Sequence, residues 1–250
     1  MRLPWMNRSD RQLWRSARTI ADLGLLMASW LEGDIASQPG YMPNCGVDEE
    51  TEHLVPILAA ANRTGYLTTC SQPGLEGPGF DGSTWRQRAA VDGHVSDPLL
   101  LRALADAAAE TGLYFATQDR IPDRTEAAIT VTTVNGEPYT TFGQPLSYSD
   151  LRTIWPVIRP EAFHAVATSV HVTIAAPEFG KAGEYLWDVL DQALIETCEA
   201  RVADGRACIV CGCTEFAPCP GGCAWVAGTP VPLCTACRVT APADLTIHVL

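Results

Sequence analysis

Seven of the ten cysteines fall between residues 208 and 237, in the run CIVCGCTEFAPCPGGCAWVAGTPVPLCTAC. A segment this short cannot bury enough apolar surface to fold around a hydrophobic core, so cross-links must hold it together. Cys208 and Cys211 form one CxxC pair and Cys234 and Cys237 another, with 22 residues between them. Two such knuckles can close a tetrahedral site around one zinc ion, and the binding free energy of the metal then takes the place of the missing core. An iron–sulfur cluster accepts the same four thiolates and is the alternative; zinc ranks first because the two-knuckle ribbon is the more usual zinc pattern. Cys213, Cys219 and Cys223 are left over. They complete a second site, take a position in the first, or are bystanders, and the spacing leaves all three open.

Metal rather than disulfide is the expectation because of the compartment. The start of the chain, MRLPWMNRSDRQLW, lacks the apolar core of a signal peptide, and no run of 18 apolar residues could form a membrane span. A cytoplasmic setting, where thiols stay reduced, is expected. The formal net charge is -12 and Lys181 is the only lysine. A chain so acidic repels phosphate backbones, which argues against nucleic acid as a partner. The ribbon itself carries little positive charge, with Arg206 and Arg238 against Glu215. A zinc-stabilised cap or a knob that docks a protein partner fits it better than a nucleic-acid reader.

Hydrophobic residues make up 47% of the chain, enough for a real core ahead of the ribbon. Residues 10–32 read as one long helix, with Leu13, Ile20, Leu23, Met27, Trp30 and Leu31 at three- and four-residue steps and Gly33 as the stop. A second helix is expected from about Glu50 to Ala61. YLTTC (66–70) reads as a strand, 72–84 as a Gly/Pro-rich loop and WRQRAAV as one strand after it. Residues 97–111 carry a complete helix signature: Asp97 as N-cap, Pro98 in the first turn and Gly112 after the end. LYFATQ, AITVTTV and SVHVTIAA read as strands, SDLRTIW as a short helix limited by Pro156 and Pro160, and residues 183–205 as a long amphipathic helix. LTIHVL, at the end of the chain, reads as a strand. The class that follows is α+β, with mixed or antiparallel sheets flanked by helices and a small C-terminal zinc ribbon. The parts are an N-terminal helix and linker (1–44), an α+β domain (45–204) and a Cys-rich module with a terminal strand (205–250).

No catalytic constellation is visible: P-loop and HExxH patterns are absent, and the Gly-rich loop at 74–82 lacks the Lys-Ser/Thr of phosphate chemistry. Cys70 would need a base to act as a nucleophile, and nothing in the sequence brings His53 or His94 to it. A half-buried structural cysteine is the expectation. His164 and His171, flanking and within a strand, read as packing residues. The polar side chains at 50–71 are more informative. Glu50, Thr51, Thr68 and Ser71 sit at helix and strand ends, where a carboxylate and hydroxyls suit a small zwitterionic ligand. A purely structural alternative exists for each: strand formers, a turn residue, and an acid that complements a helix dipole.

The order of features in residues 50–95 resembles the C-terminal regulatory domain of eukaryotic methylenetetrahydrofolate reductase. The shared features are the Glu50-Thr51 pair, the Asn-Arg-x-Gly turn (62–65), a Thr-bearing strand, Ser-Gln-Pro (71–73), and a Gln-basic-Ala segment after the loop. The likeness covers about residues 45–200, extending downstream through TVTTVNGEPYTTFGQP and SVHVTIAAPEFGKAGEYLWDVLDQALIE. The chain is also similar to an actinobacterial family with an ARTxADLG…WLEG…SQPGY…TTCSQPG pattern, and its ribbon to Cys-rich modules of phage and bacterial proteins. The reductase resemblance implies a domain that binds S-adenosylmethionine or S-adenosylhomocysteine and performs no chemistry. It carries ligand contacts onto Glu50, Thr51, Thr68, Ser71 and, more loosely, Thr133. Pro4-Trp5 is similar to a Pro-Trp pair of the family's linker. Leu146 stands where the family has a further threonine. The expected function is therefore non-catalytic sensing or sequestering of an adenosyl compound beside a structural zinc module. The alternatives are a zinc-dependent protein-interaction adaptor that has lost the ligand, and an enzyme acting on an adenosyl-sulfonium compound.

Overall fold

The computed structural model describes residues 5–118 and 128–203, and within the Cys-rich stretch residues 207–208, 211–215, 218–219, 222–226 and 232–237. The expected strand LTIHVL and Pro4 of the Pro-Trp pair lie outside the described residues.

Two helices, not one, occupy the N-terminal stretch: α1 (Arg8–Ser16) and α2 (Ile20–Leu31). The break has a local cause. Thr19 and Asp22 form a capping box, each side chain taking a backbone N–H of the other's residue, and that geometry requires an extended residue at 19. Both helices belong to the main core, to which Trp14, Ile20, Leu23 and Met27 contribute. Within the stretch read as N-terminal helix and linker, Met6, Trp14, Ile20, Leu23, Met27 and Ile35 are buried in the main core.

The helix expected from Glu50 begins as a 3-10 turn, Glu49–Leu54, and becomes regular only as α3 (Val55–Thr64). Pro56 explains this: it has no N–H, and its ring crowds the carbonyl four residues back, so the α-helix starts at it rather than passing through it. Gly65 ends α3 at φ 106°, a left-handed conformation that glycine adopts freely. The chain then turns back at once into β1 (Tyr66–Gln72).

Two four-stranded sheets follow, antiparallel at every pairing. The first has the order β1-β4-β8-β5, with β4 (Ala90–Val95), β8 (Val170–Ala175) and β5 (Tyr114–Gln118). The second has the order β2-β3-β6-β7, with β2 (Glu76–Pro78), β3 (Thr84–Gln87), β6 (Ile129–Val134) and β7 (Glu137–Phe142). WRQRAAV is not one strand. It leaves the second sheet after Gln87 and enters the first at Ala90, while Arg88 N–H donates to Val131 O (2.8 Å) and Ala89 O accepts from Ala176 N–H (2.9 Å). The Asn135-Gly136 turn, with φ 53° and 86°, joins β6 to β7 as a tight hairpin. The second sheet packs on one end of the first through Ala90, Val131 and Ala175, with Ile129 and Phe142 alongside. Helices α5 (Tyr148–Ile154) and α6 (Pro160–Thr168) supply Leu151 and Val166 near His94 and His171, at the other end of the same face. The opposite face meets the main core with α3, α4 (Pro98–Thr111) and α7 (Tyr185–Ala203).

One buried ion pair ties these helices together. Arg201, in the last turn of α7, donates through Nε to Asp97 Oδ2 (3.1 Å), through Nη2 to the same oxygen, and through Nη2 to Thr64 O (2.9 Å). Asp97 also caps α4, accepting from Leu99 N–H at 2.9 Å. Both charged side chains are almost fully enclosed, at 3% and 4% exposure. Removing one member leaves the other charge buried and alone, which costs about 3–5 kcal/mol. Arg201→Ala is therefore expected to lower unfolding free energy by about that much in a urea titration. The exposed Arg102–Asp106 pair on α4 serves as control, and Arg102→Ala should change it by less than about 1 kcal/mol.

Candidate functional site

β1 carries a bulge. Thr68 pairs with Gly93 and Cys70 with Asp92, so two residues advance on β1 while one advances on β4. Gly93 is required here. A Cβ at that position would lie 2.3 Å from Leu67 O and 2.9 Å from Thr68 Cα. The bulge decides which side chains meet. Cross-strand partners share a face, so Tyr66, Thr68 and Ser71, opposite Val95, Gly93 and Val91, all point to the helix side. In an unbroken strand, residues three apart would point to opposite faces. Leu67, Cys70 and Gln72 point to the other side with His94, Asp92 and Ala90.

The carried-over residues fall into three groups. Glu50 is exposed and Thr51 buried on the 3-10 turn, which packs against β1. Because α3 runs back along β1 after the tight turn at Gly65, the 3-10 turn comes over the far end of the strand, toward Ser71. Thr68 lies deeper and is already engaged: Asn62 Nδ2 donates to Thr68 Oγ1 (2.6 Å), and Asn62 Oδ1 accepts from Thr68 N–H (3.1 Å). That contact gives the Asn-Arg-x-Gly turn a structural reason and leaves the Thr68 hydroxyl proton to donate. Thr133 stands apart, on β6 of the second sheet, opposite Arg86. Its neighbour Thr132 is the one that reaches β1, donating from Oγ1 to Gln72 Oε1 (3.1 Å), while Gln72 Nε2 donates to Arg88 O and Val131 O (3.0 Å each). Leu146 lines a small chamber beside His94 and His171.

Sequence reading missed two polar centres. Glu184, just before α7, accepts from Gly74 N–H and from Trp187 Nε1, and lies 3.5 Å from His53 Nε2. It fastens the loop after β1 to the 3-10 turn that carries Glu50. The second centre is Asp92, whose Oδ1 lies 2.8 Å from His171 Nε2 and accepts from Thr173 Oγ1 at 2.7 Å. His94 stacks beside His171 with ring centroids 5.1 Å apart, and its Nδ1 meets Ser169 Oγ at 3.2 Å. An Asp–His pair invites a catalytic reading, but the chamber beside it measures only about 50 Å³, room for little beyond a water. The signal available in sequence was period-two placement of Asp92 and His94 on one strand and His171 and Thr173 on another. Nothing local said that the two strands pair.

Cys70 lies across from Asp92, not beside a base. It reaches the surface, yet the protein packed around its sulfur and the Asp92 carboxylate push its thiol up to about 11. This is the reverse of what activates a nucleophile.

The cysteine ribbon forms a second centre. Gly212 takes a left-handed φ of 69° directly after Cys211, Gly212 N–H donates to Cys208 O (2.8 Å), and Cys208 N–H donates to Cys213 O (2.8 Å), which folds the first knuckle. The second knuckle closes with Cys237 N–H on Cys234 O at 3.1 Å. Cys234 N–H points at Cys208 Sγ (3.4 Å) and Cys219 N–H at Cys223 Sγ (3.3 Å). Among the described residues the core of this module is sulfur plus Leu233. None of the ten cysteines is in a disulfide. The sulfurs of Cys208, Cys211, Cys234 and Cys237 lie within 4.8 Å of one another. Cys211 Sγ lies 3.6 Å from Cys219 Sγ and 3.7 Å from Cys234 Sγ. A tetrahedron with metal–sulfur bonds of about 2.3 Å has edges of about 3.8 Å, so the donor set fits a metal ion. Burial holds Cys213 far above its ordinary range and hydrogen bonding with Cys211 does the same for Cys237, whereas at Cys234 burial is outweighed by hydrogen bonds, that from Cys237 N–H foremost, which bring the thiol down to about 6. A bound cation favours the thiolate at each.

With its thiol pushed up to about 11, Cys70 holds about a hundredth of the thiolate of an ordinary thiol well below pH 9. Alkylation of Cys70 by iodoacetamide, followed by peptide mass spectrometry, is thus expected to be about a hundredfold slower than that of a short peptide thiol at pH 7.5, and to accelerate up to pH 11.

None of the helices among the described residues is long and apolar enough to cross a membrane. No curated protein matches the chain. A family model described as "Domain of unknown function (DUF6919)" matches residues 9–197, from α1 into α7 and short of the cysteine ribbon. The chain belongs to the DUF6919 family, and carries the cysteine ribbon beyond the matched domain.

Proposed function

We propose that this chain binds S-adenosylmethionine or S-adenosylhomocysteine without turning it over, as a sensor or sequestering module, and that its cysteine ribbon holds zinc as a structural ion. The observation that carries the reading is the bulge in β1, which turns Thr68 and Ser71 to one face beneath the 3-10 turn bearing Glu50 and Thr51. A carboxylate there can accept hydrogen bonds from ribose hydroxyls or face a positively charged amino or sulfonium group. Hydroxyls that both donate and accept can serve the two ends of an amino-acid moiety. Thr133, on the second sheet, has a secondary part at most, and Leu146 withdraws one hydroxyl from the family pattern. Zinc fits the two-knuckle ribbon better than an iron–sulfur cluster. Ten cysteines without a disulfide fit a reducing, cytoplasmic setting.

A second reading, a zinc-dependent adaptor for a protein partner, draws on one feature. A cleft of about 870 Å³ runs between α1–α2 and the ribbon, edged by Leu13, Leu25, Leu26 and Trp225. A third, turnover of an adenosyl-sulfonium compound, would need a base such as Glu50 or His53, the latter 3.5 Å from Glu184.

Titration calorimetry with both adenosyl compounds separates the first two. Saturable heat with either is expected; none with either, at tens of micromolar protein, leaves the adaptor. Glu50→Ala and Ser71→Ala should each weaken binding about tenfold or more, as loss of a hydrogen bond to a charged group does, with urea midpoints unchanged. Unaltered affinity in both variants defeats the assignment. Ligand recovered intact after long incubation is expected; a product would establish the enzyme reading.

A further inference from the structure

The ribbon holds more sulfur than one metal can use. Besides the two CxxC pairs, a second quartet, Cys211, Cys213, Cys219 and Cys234, has all its sulfurs within 4.8 Å of one another. Cys211 and Cys234 belong to both sets. Cys219 lies 3.6 Å from Cys211 and 3.8 Å from Cys234, the edge lengths of a metal–thiolate tetrahedron. Cys223 lies 3.5 Å from Cys213. If one ion occupied the CxxC quartet alone, Cys213 and Cys219 would be crowded against its ligands with no partner of their own. Thiols at these distances neither form disulfides, whose sulfurs are about 2.05 Å apart, nor gain much from S–H hydrogen bonds, which are weak.

We infer that the ribbon is a binuclear thiolate cluster. One zinc ion is held by Cys208, Cys211, Cys234 and Cys237, and a second by Cys211, Cys213, Cys219 and Cys234. Cys211 and Cys234 bridge the two ions, and Cys223 flanks the second. Sharing two thiolates lets six sulfurs satisfy two tetrahedral ions and leaves the cluster less anionic than two separate four-thiolate sites. That matters in a chain of net charge -12. The bridge also explains the fold of the module. It ties Cys213 and Cys219 to both knuckles through metal, where with a single ion only hydrogen bonds such as Cys208 N–H to Cys213 O and Thr235 N–H to Ala224 O would hold that region. This inference rests on the zinc reading above, and metal counting distinguishes the two.

The test is elemental analysis of the full-length chain, purified from zinc-supplemented cells, against protein concentration. Two zinc ions per chain are expected. One zinc ion per chain overturns the binuclear cluster and keeps the zinc reading. Iron with sulfide and a brown colour overturns both. Cadmium-113 substitution then probes the bridge. Two resonances that split each other are expected, because a shared thiolate transmits scalar coupling; two unsplit resonances show separate sites and overturn the bridging. Cys219→Ser should reduce the count from two to one with the main domain's urea midpoint unchanged, and a count that stays at two in both Cys219→Ser and Cys213→Ser rejects their role as ligands. Cys198→Ser, on α7, should leave the count at two.

Discussion

The guanidinium of Arg201 is the point on which the architecture turns. Its hydrogen bonds reach the N-cap of α4 and the last carbonyl of α3, Thr64 O, so three helices are fixed relative to one another by one side chain. The backbone of the same residue continues the link: Arg201 O accepts from Ala207 N–H, the first described residue of the ribbon, at 3.1 Å. A buried charge pair of this kind adds little net stability over an apolar packing of the same shape, but it tolerates no mismatch. Here it holds the end of α3, which Gly65 terminates, against α4 and α7. The position of the 3-10 turn over β1 depends on it, because that turn rides on the other end of α3.

From that frame the proposed ligand wall follows in steps. α3 and β1 are joined by a single left-handed glycine, which sends the strand back beneath the helix. The bulge at Thr69 brings Ser71 to the helix side, and Gly93 leaves the space that the bulge needs. Glu184 then anchors the loop after β1 to the 3-10 turn. The other face of the sheet went a different way. Asp92, His171, Thr173 and His94 make a closed polar cluster under α5 and α6, so the residues that look most catalytic are the ones a substrate reaches least.

Much of the secondary structure was legible because its signals are local. Asp97-Pro98 and Gly112 bracket α4 as expected, Asn-Gly marks the β6–β7 turn, and β-branched runs became strands. The errors were also local rules, outvoted. Apolar spacing over 10–32 looked continuous, yet the Thr19/Asp22 capping box broke the helix. WRQRAAV looked like one strand, and the chain divided it between two sheets at Arg88-Ala89 because each half found a different partner. The candidate site was half legible. Its residue types and spacing could be read, but Asn62's hold on Thr68 and the substitution of Thr132 for Thr133 against β1 could not.

The sequence by itself determined the elements and the donors: where most helices start and stop, which segments alternate as strands, and that two CxxC pairs could hold a metal ion. Caps, turns and knuckles act over a few residues, so a short stretch suffices to specify them. Tertiary structure alone decided which donors meet. Whether Ser71 faces a helix or the second sheet depends on one unpaired residue in a ladder, and a one-residue slip reverses a face. Whether Cys211 serves one metal or two depends on how close the 213–223 loop lies to both knuckles, a distance that spacing along the chain does not contain.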